Sequence, residues 1–184
     1  KNVKDRAIRL IAINNVKDER LLRDAAENSQ FFDVRSFAWE RLGENNKSIA
    51  EIVINTKKNQ HVDEIFEKVV DEETLKWIAI EADDKRYRNE AVSKIESREV
   101  LQDLIFKAND NDIKKAAINK DNFDDENVLE EIAISQKDEG VKTAAINKIT
   151  DGEKLANIAK NEDNAKIRSL IFEKIDNPEI LKDI

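Results

Sequence analysis

The chain has 184 residues, with 32 Lys and Arg against 40 Asp and Glu, for a formal net charge of −8. It holds three Gly, one Pro, one His and no Cys, which excludes turn-rich β-sandwiches, disulfide scaffolds, thiol catalysis and Cys-ligated zinc. No apolar run approaches the ~18 residues of a membrane span, and a mostly helical chain remains.

The elements recur in pairs. In chain order, the first segment of each pair is anchored at Ile8, Val34, Val62, Tyr87, Ile113, Val141 and Ile167, with apolar residues four, five and eight positions on. At about 100° per residue these positions share one helical stripe, as in Val141, Ala145, Ile146 and Ile149. The second segment is anchored at Leu22, Ile49, Leu75, Leu101, Leu129, Leu155 and Leu181, and its stripe continues three and four positions on, as in Leu129, Ile132 and Ala133. First anchors are spaced 26, 28, 25, 26, 28 and 26 residues apart. Each second anchor precedes the next first anchor by 12 residues, or 13 once. Length variation therefore sits between the first and second segments of a pair, where a loop tolerates insertion.

Cap chemistry marks the same helix starts. Four residues before the second anchors stand Asp18, Asn45, Asp71, Ser97, Asp125, Asp151 and Asn177, all strong N-cap types. Pro178 follows at a first helical position, where its missing N–H costs little. Three residues before the first anchors stand Asp5, Phe31, Asn59, Asp84, Asp110, Asp138 and Asn164, of which only Phe31 is not a cap type. The third pair is irregular, with Asp63 where the others carry a base and Glu67 where they are apolar. There the stripe is expected to rotate onto Ile65, Phe66 and Val69.

Helices this short are marginal alone in water. Stacked side by side they share one core, and the small Ala12, Ala38, Ala91, Ala117 and Ala145 allow close approach. The expectation is a single all-α repeat domain over residues 1–184, without linkers. Because the chain starts at Lys1 and has no Met, it is expected to be a fragment of a longer array.

The pattern aliphatic–base–x–x–Ala–apolar, then Asp, then Leu–x–x–Ile–Ala resembles the short HEAT-like repeats of the armadillo type. Ile113-Lys114-Lys115-Ala116-Ala117, Val141-Lys142-Thr143-Ala144-Ala145 and Leu155-Ala156-Asn157-Ile158-Ala159 carry the resemblance best. It implies a right-handed α-solenoid of about seven two-helix repeats. The implied function is a non-enzymatic scaffold that binds a protein or peptide on its concave surface. The repeat is shorter than the ~40–47 residues usual for such families.

Two columns stand out. The residue after each first anchor is Arg9, Arg35, Asp63, Arg88, Lys114, Lys142 or Arg168. A base inside an apolar stripe needs an acceptor, and a ladder to cap or loop acids such as Asp125, Asp151 or Asp176 is expected. Two positions after the second anchors stand Asp24, Glu51, Trp77, Asp103, Glu131, Asn157 and Asp183, opposite the stripe and so expected to face solvent. Of these, Asp24, Glu51, Trp77, Asp103 and Glu131 are the candidate binding residues, an acidic column broken by one aromatic anchor and suited to a basic segment. Trp39 shares its column with Ile13, Val92, Ile118, Ile146 and Phe172 and is expected in the core. Phe31 and Phe32 are expected to plug an interhelical gap, and His61 to lie in a loop. Asn109-Asp110-Asn111-Asp112 and Asp124-Asp125-Glu126 lack the Gly and Glu of a calcium loop and read as caps. No metal, cofactor or catalytic site is expected, and a cytoplasmic location is. A structural spacer is the alternative function. A nucleic-acid or DNA-repair role is disfavoured by the negative charge.

Overall fold

A computed structural model describes residues 5–56 and 60–182, apart from the side chains of Gln60 and His61. Asn59 and Asp183 lie outside the described residues. Every regular element among the described residues is helical, and contacts divide the chain into two compact units, Lys1–Ile95 and Glu96–Ile184. The first unit holds α1 (Arg6–Asn14), α2 (Glu19–Asn28), α3 (Phe32–Arg41), α4 (Asn45–Ile54), α5 (Gln60–Phe66), α6 (Glu72–Glu81) and α7 (Lys85–Lys94). The second holds α8 (Arg98–Lys107), α9 (Asn111–Ile118), α10 (Glu126–Ser135), α11 (Glu139–Lys148), α12 (Gly152–Lys160), α13 (Ala165–Lys174) and α14 (Pro178–Leu181).

The helices begin where side chains satisfy their orphan N–H groups. Asp5, Asp18, Asp71 and Asp84 are N-caps whose carboxylates accept first-turn N–H groups in the first unit. In the second, the carboxylates of Asp110, Asp125, Asp138 and Asp151, the Ser97 hydroxyl and the amide oxygens of Asn164 and Asn177 do so. Asn45 departs from expectation: it is the first residue of α4, and Glu44 takes the cap position without a side-chain bond. The cause is the tight α3–α4 turn. Gly43 adopts a φ of 78°, the Gly43 N–H bonds Glu40 O at 3.0 Å, and the Glu44 N–H bonds Trp39 O at 2.9 Å. This is a Schellman closure of α3, and it delivers the chain directly into α4.

The helices form two layers within each unit. In the first, α1 packs on α3 and α4 on α6; in the second, α9 packs on α11 and α11 on α13, while α10 packs on α12 and α12 on α14. Across the layers α2 packs on α3, α4 on α5, α6 on α7, α8 on α9, α10 on α11 and α12 on α13. The close hairpin is therefore a second helix with the first helix that follows it. Within an anchor pair only α3 and α4 pack comparably. The near-constant 12-residue spacing in the sequence belongs to this hairpin, whose links 82–84, 108–110 and 136–138 are short.

The core follows the stripes. Ile13, Leu22, Ala26, Ala38 and Trp39 form one buried cluster, with Leu10, Val34 and Phe37 packed against it. Ala38, Ala91, Ala117 and Ala145 are fully buried, as close helix approach requires. Phe66 and Val69 are buried in the irregular third repeat, with Ile65 half-buried, so the stripe there rotates as expected. Ala12 and Phe172 depart from expectation and are exposed. Both belong to helices with a neighbour of their own layer on one side only. His61 lies in α5 rather than in a loop.

Candidate functional site

Polar side chains fix the helices before any surface is presented. The basic column is half-buried, but its acceptors are not Asp125, Asp151 or Asp176. Asp125 and Asp151 are committed to capping α10 and α12, and Asp176 is exposed. Arg9 pairs with Asp33 at the start of α3, and the other bases reach the ends of second helices. Arg35 donates to the Ser29 carbonyl at 2.7 Å and to Glu51 at 2.9 Å. Arg88 donates to the Ala82 carbonyl, Arg168 to the Glu162 carbonyl, Lys114 to Gln136, and Lys142 to the Glu162 carboxylate. Cations there satisfy orphan carbonyls and oppose the negative helix end. Burial alone would raise Glu162, but the hydrogen bonds from Lys142 and from the Asn164 N–H hold its carboxyl below the ordinary range. Where the column turns acidic, Asp63 accepts from the Tyr87 hydroxyl at 2.9 Å.

A second basic column, seven positions after the first anchors, does related work. Arg41 donates to the carbonyls of Ile13, Asn14 and Val16. Lys94 donates to those of Phe66 and Glu67, Lys148 to Ile118 and Lys120, and Lys174 to Asn147. Each base closes the C-terminal end of the preceding first helix or the turn just beyond it. Burial lowers the Lys148 ammonium from its ordinary value. Arg41, Lys94, Lys120, Lys148 and Lys174 share this position, a periodic signal present in the sequence itself.

The candidate binding residues divide. Glu51 does not face solvent: it is only 6% exposed and is held by Arg35 and Asn55. The wheel angle points it away from the stripe, but the half-buried Arg35 draws it between α3 and α4. Asp24 is exposed on α2 and accepts from Asn28 at 2.9 Å. Trp77 is half-buried on α6. In the second unit Asp103 is half-exposed on α8 and pairs with Lys107 at 2.8 Å, and Glu131 is exposed on α10.

Five positions after the second anchors runs a further column that the acidic one obscures: Ile54, Ile80, Phe106 and Ile134. Ile54 and Ile80 are half-buried, whereas Phe106 and Ile134 are exposed. On α8 and α10, then, an exposed apolar residue stands one turn beyond an acid at the same register, Asp103 with Phe106 and Glu131 with Ile134. Near their N-termini a cleft of about 260 Å³ is lined by Arg98, Glu99, Gln102, Asp124 and Asp125 over Phe123. Elsewhere in the second unit Glu126 ties one helix start to the next. Glu126 accepts from the Thr150 hydroxyl and the Thr150 and Asp151 N–H groups, which hold its carboxyl below the ordinary range. Phe31 lies under the Arg9 guanidinium at 4.1 Å and fills its gap, while Phe32 is partly exposed beside Arg6.

Among the described residues no group of His, Cys, Asp and Glu is placed to hold a metal ion. No helix among them is long and apolar enough to cross a membrane. No family model matches the chain, and no curated protein or solved structure matches it.

Proposed function

We propose that the chain is a non-enzymatic scaffold, a right-handed HEAT-like solenoid, that binds a basic protein segment on the face formed by its second helices. The observation that carries this reading is the repeated acid-plus-apolar pair on α8 and α10, Asp103 with Phe106 and Glu131 with Ile134. An exposed Phe and Ile supply contact area, and the flanking carboxylates favour Lys or Arg beside it. Most other conspicuous bases and acids are committed to caps and ladders; on α8 and α10 carboxylates stand beside exposed apolar side chains, with Asp103 paired to Lys107 of its own helix. Trp77 and Ile80 hold the same two positions on α6 in the first unit, where both are half-buried and the acid is replaced by the aromatic ring.

The test is a panel of synthetic peptides in which Lys or Arg alternates with apolar residues, read by fluorescence anisotropy against charge-neutral controls. Wild-type chain binds the basic–apolar members, Phe106→Ala weakens them at least ~10-fold, and added salt weakens them further. Asp103→Lys with Glu131→Lys abolishes binding, while Asp24→Lys leaves it unchanged. Equal binding of basic and neutral peptides, or none of either, overturns the reading.

A further inference from the structure

Two neighbouring second-helix junctions in the second unit use the same positions, and only one of them is completed from within. Between α10 and α12, α10 supplies the acceptors and α12 the donors. The Lys154 ammonium donates to the Asn127 side-chain oxygen at 2.7 Å and to the Glu130 carboxylate at 3.1 Å, and the Asn157 amide donates to Glu130 at 2.6 Å. Counted from the anchors Leu101, Leu129 and Leu155, the matching acceptors on α8 are Glu99 and Gln102, and the matching donor positions on α10 are Val128 and Glu131. The acceptors persist, now with a carboxylate at the first place. Both donors are gone: an aliphatic side chain stands for Lys154 and an acid for Asn157. Thus α10 brings no ammonium to Glu99 and Gln102.

The cleft of about 260 Å³ near the starts of α8 and α10 lies at this place, lined by Glu99, Gln102 and Val128 over the buried Phe123. Its rim is held by Arg98 and Asp124, 3.0 Å apart and both exposed. That pair occupies the positions of Glu126 and Thr150 at the next junction, with the polarity reversed. Glu99 accepts from the Ser97 hydroxyl at 2.8 Å, and a carboxylate has further lone pairs for a cation. Phe106 follows Gln102 by one turn, about 6 Å along the helix axis, so the cleft and the exposed ring form one line along α8.

We infer, on the reading that this face binds a basic segment, that the α8–α10 cleft receives a lysine side chain of the partner, in the place that Lys154 fills between α10 and α12. The lysine stem lies over Phe123 and Val128, and its ammonium meets Glu99 and Gln102. Side chains two residues apart in an extended strand are about 6.6 Å apart on one face. The partner therefore presents an apolar residue to Phe106 two positions from that lysine. What is recognised is an extended run with Lys and an apolar residue at this spacing, rather than basic charge in general.

Fluorescence anisotropy with synthetic peptides tests this. A peptide with Lys and Phe two residues apart binds at least ~10-fold more tightly than one with them adjacent. Norleucine in place of Lys keeps the stem, removes the charge and loses at least ~10-fold. Val128→Lys supplies the missing ammonium from within, so it closes the cleft and weakens the Lys–x–Phe peptide at least ~10-fold. Ser169→Lys makes the same charge change at an exposed position of α13 and leaves binding within about twofold. Glu99→Gln alters only an exposed side chain and removes most of the difference between the Lys and norleucine peptides. If basic–apolar peptides bind whatever the spacing, and bind Val128→Lys as well as Ser169→Lys, the cleft proposal falls while basic-segment binding stands. If no peptide binds, both fall.

Discussion

In the second unit the base after each first-helix anchor has an acceptor at the end of a second helix: Lys114 at Gln136, Lys142 at the Glu162 carboxylate, Arg168 at the Glu162 carbonyl. In the first unit the same column runs Arg9, Arg35, Asp63 and Arg88; Arg35 and Arg88 keep the bond to the carbonyl six residues back that Arg168 makes, but three of the four add or substitute a partner of their own. Arg9 pairs with Asp33 on the next first helix, Arg35 draws Glu51 inward, and Asp63 reverses the polarity by accepting from Tyr87. The regular unit repeats one small set of contacts, whereas the irregular one compensates each departure locally with a larger side chain or a different partner. A repeat can thus lose its consensus residue without losing its stack, provided a neighbour changes with it.

The largest expected effect lies at the compensating residue. Tyr87 is fully buried and meets Phe66 edge-on, with ring centroids 5.4 Å apart. Its column in the second unit holds only Ile113, Val141 and Ile167. Tyr87→Ala is expected to cost about 3–5 kcal/mol in chemical denaturation, because it leaves a ring-sized cavity. Tyr87→Phe keeps the ring packing and removes the hydroxyl that donates to Asp63, for about 1 kcal/mol. Ile113→Val, the counterpart in the regular unit, costs about 0.5–1.5 kcal/mol. If Tyr87→Phe costs as much as Tyr87→Ala, the ring is not what fills the irregular repeat.

Next comes the regular ladder. Glu162→Gln removes the charge that Lys142 meets in a half-buried place, and a loss of about 1.5–3 kcal/mol is expected near neutral pH. The folded-state carboxyl titrates below its ordinary value of 4.5. Its contribution is therefore complete above that value and is lost as pH falls through the lower, folded value. Thermal melts of wild type should fall more steeply below about pH 4.5 than those of Glu162→Gln, and parallel curves would remove Glu162 from the acid response.

Much of this organisation was legible because it is local. Asp, Asn and Ser caps act within three residues of themselves, so helix starts followed from the chain at all but one of the described positions. Trp39 read as core because its column is apolar in most other repeats. The hairpin phase was also present, in the near-constant 12-residue spacing, but a spacing alone does not say which two helices it joins closely. Glu51 was not legible. Its wheel angle is correct for solvent, yet burial is decided by Arg35 on another helix, and no periodicity encodes that partner. The exposed Phe106 and Ile134 lie on the flank of the stripe, where an apolar residue reads equally as core or surface. Only the distance to the adjacent second helices decides which.

Gly43 tests why the first unit has a tighter turn. Its φ is 78°, and a Cβ added there would meet no atom within 4 Å. Gly43→Ala therefore meets only backbone strain, expected at about 1–2 kcal/mol. Gly43→Asn should recover part of the loss, since Asn tolerates the left-handed region. An Ala variant as stable as wild type would mean that the Schellman closure does not need a left-handed residue.

The smallest effect discriminates most finely between the two units. Asp151 accepts the N–H groups of Glu153 and Lys154 at the start of α12, so Asp151→Ala should cost about 1 kcal/mol. Asn45 has the same place in the sequence pattern but sits inside the first turn of α4, where no cap bond is made. Asn45→Ala should be neutral or stabilise by a few tenths of a kcal/mol, roughly the helix-propensity difference. Equal losses at the two positions would show that α4 starts one residue later than the turn at Gly43 and Glu44 places it, and the Schellman account of that turn would fall with it.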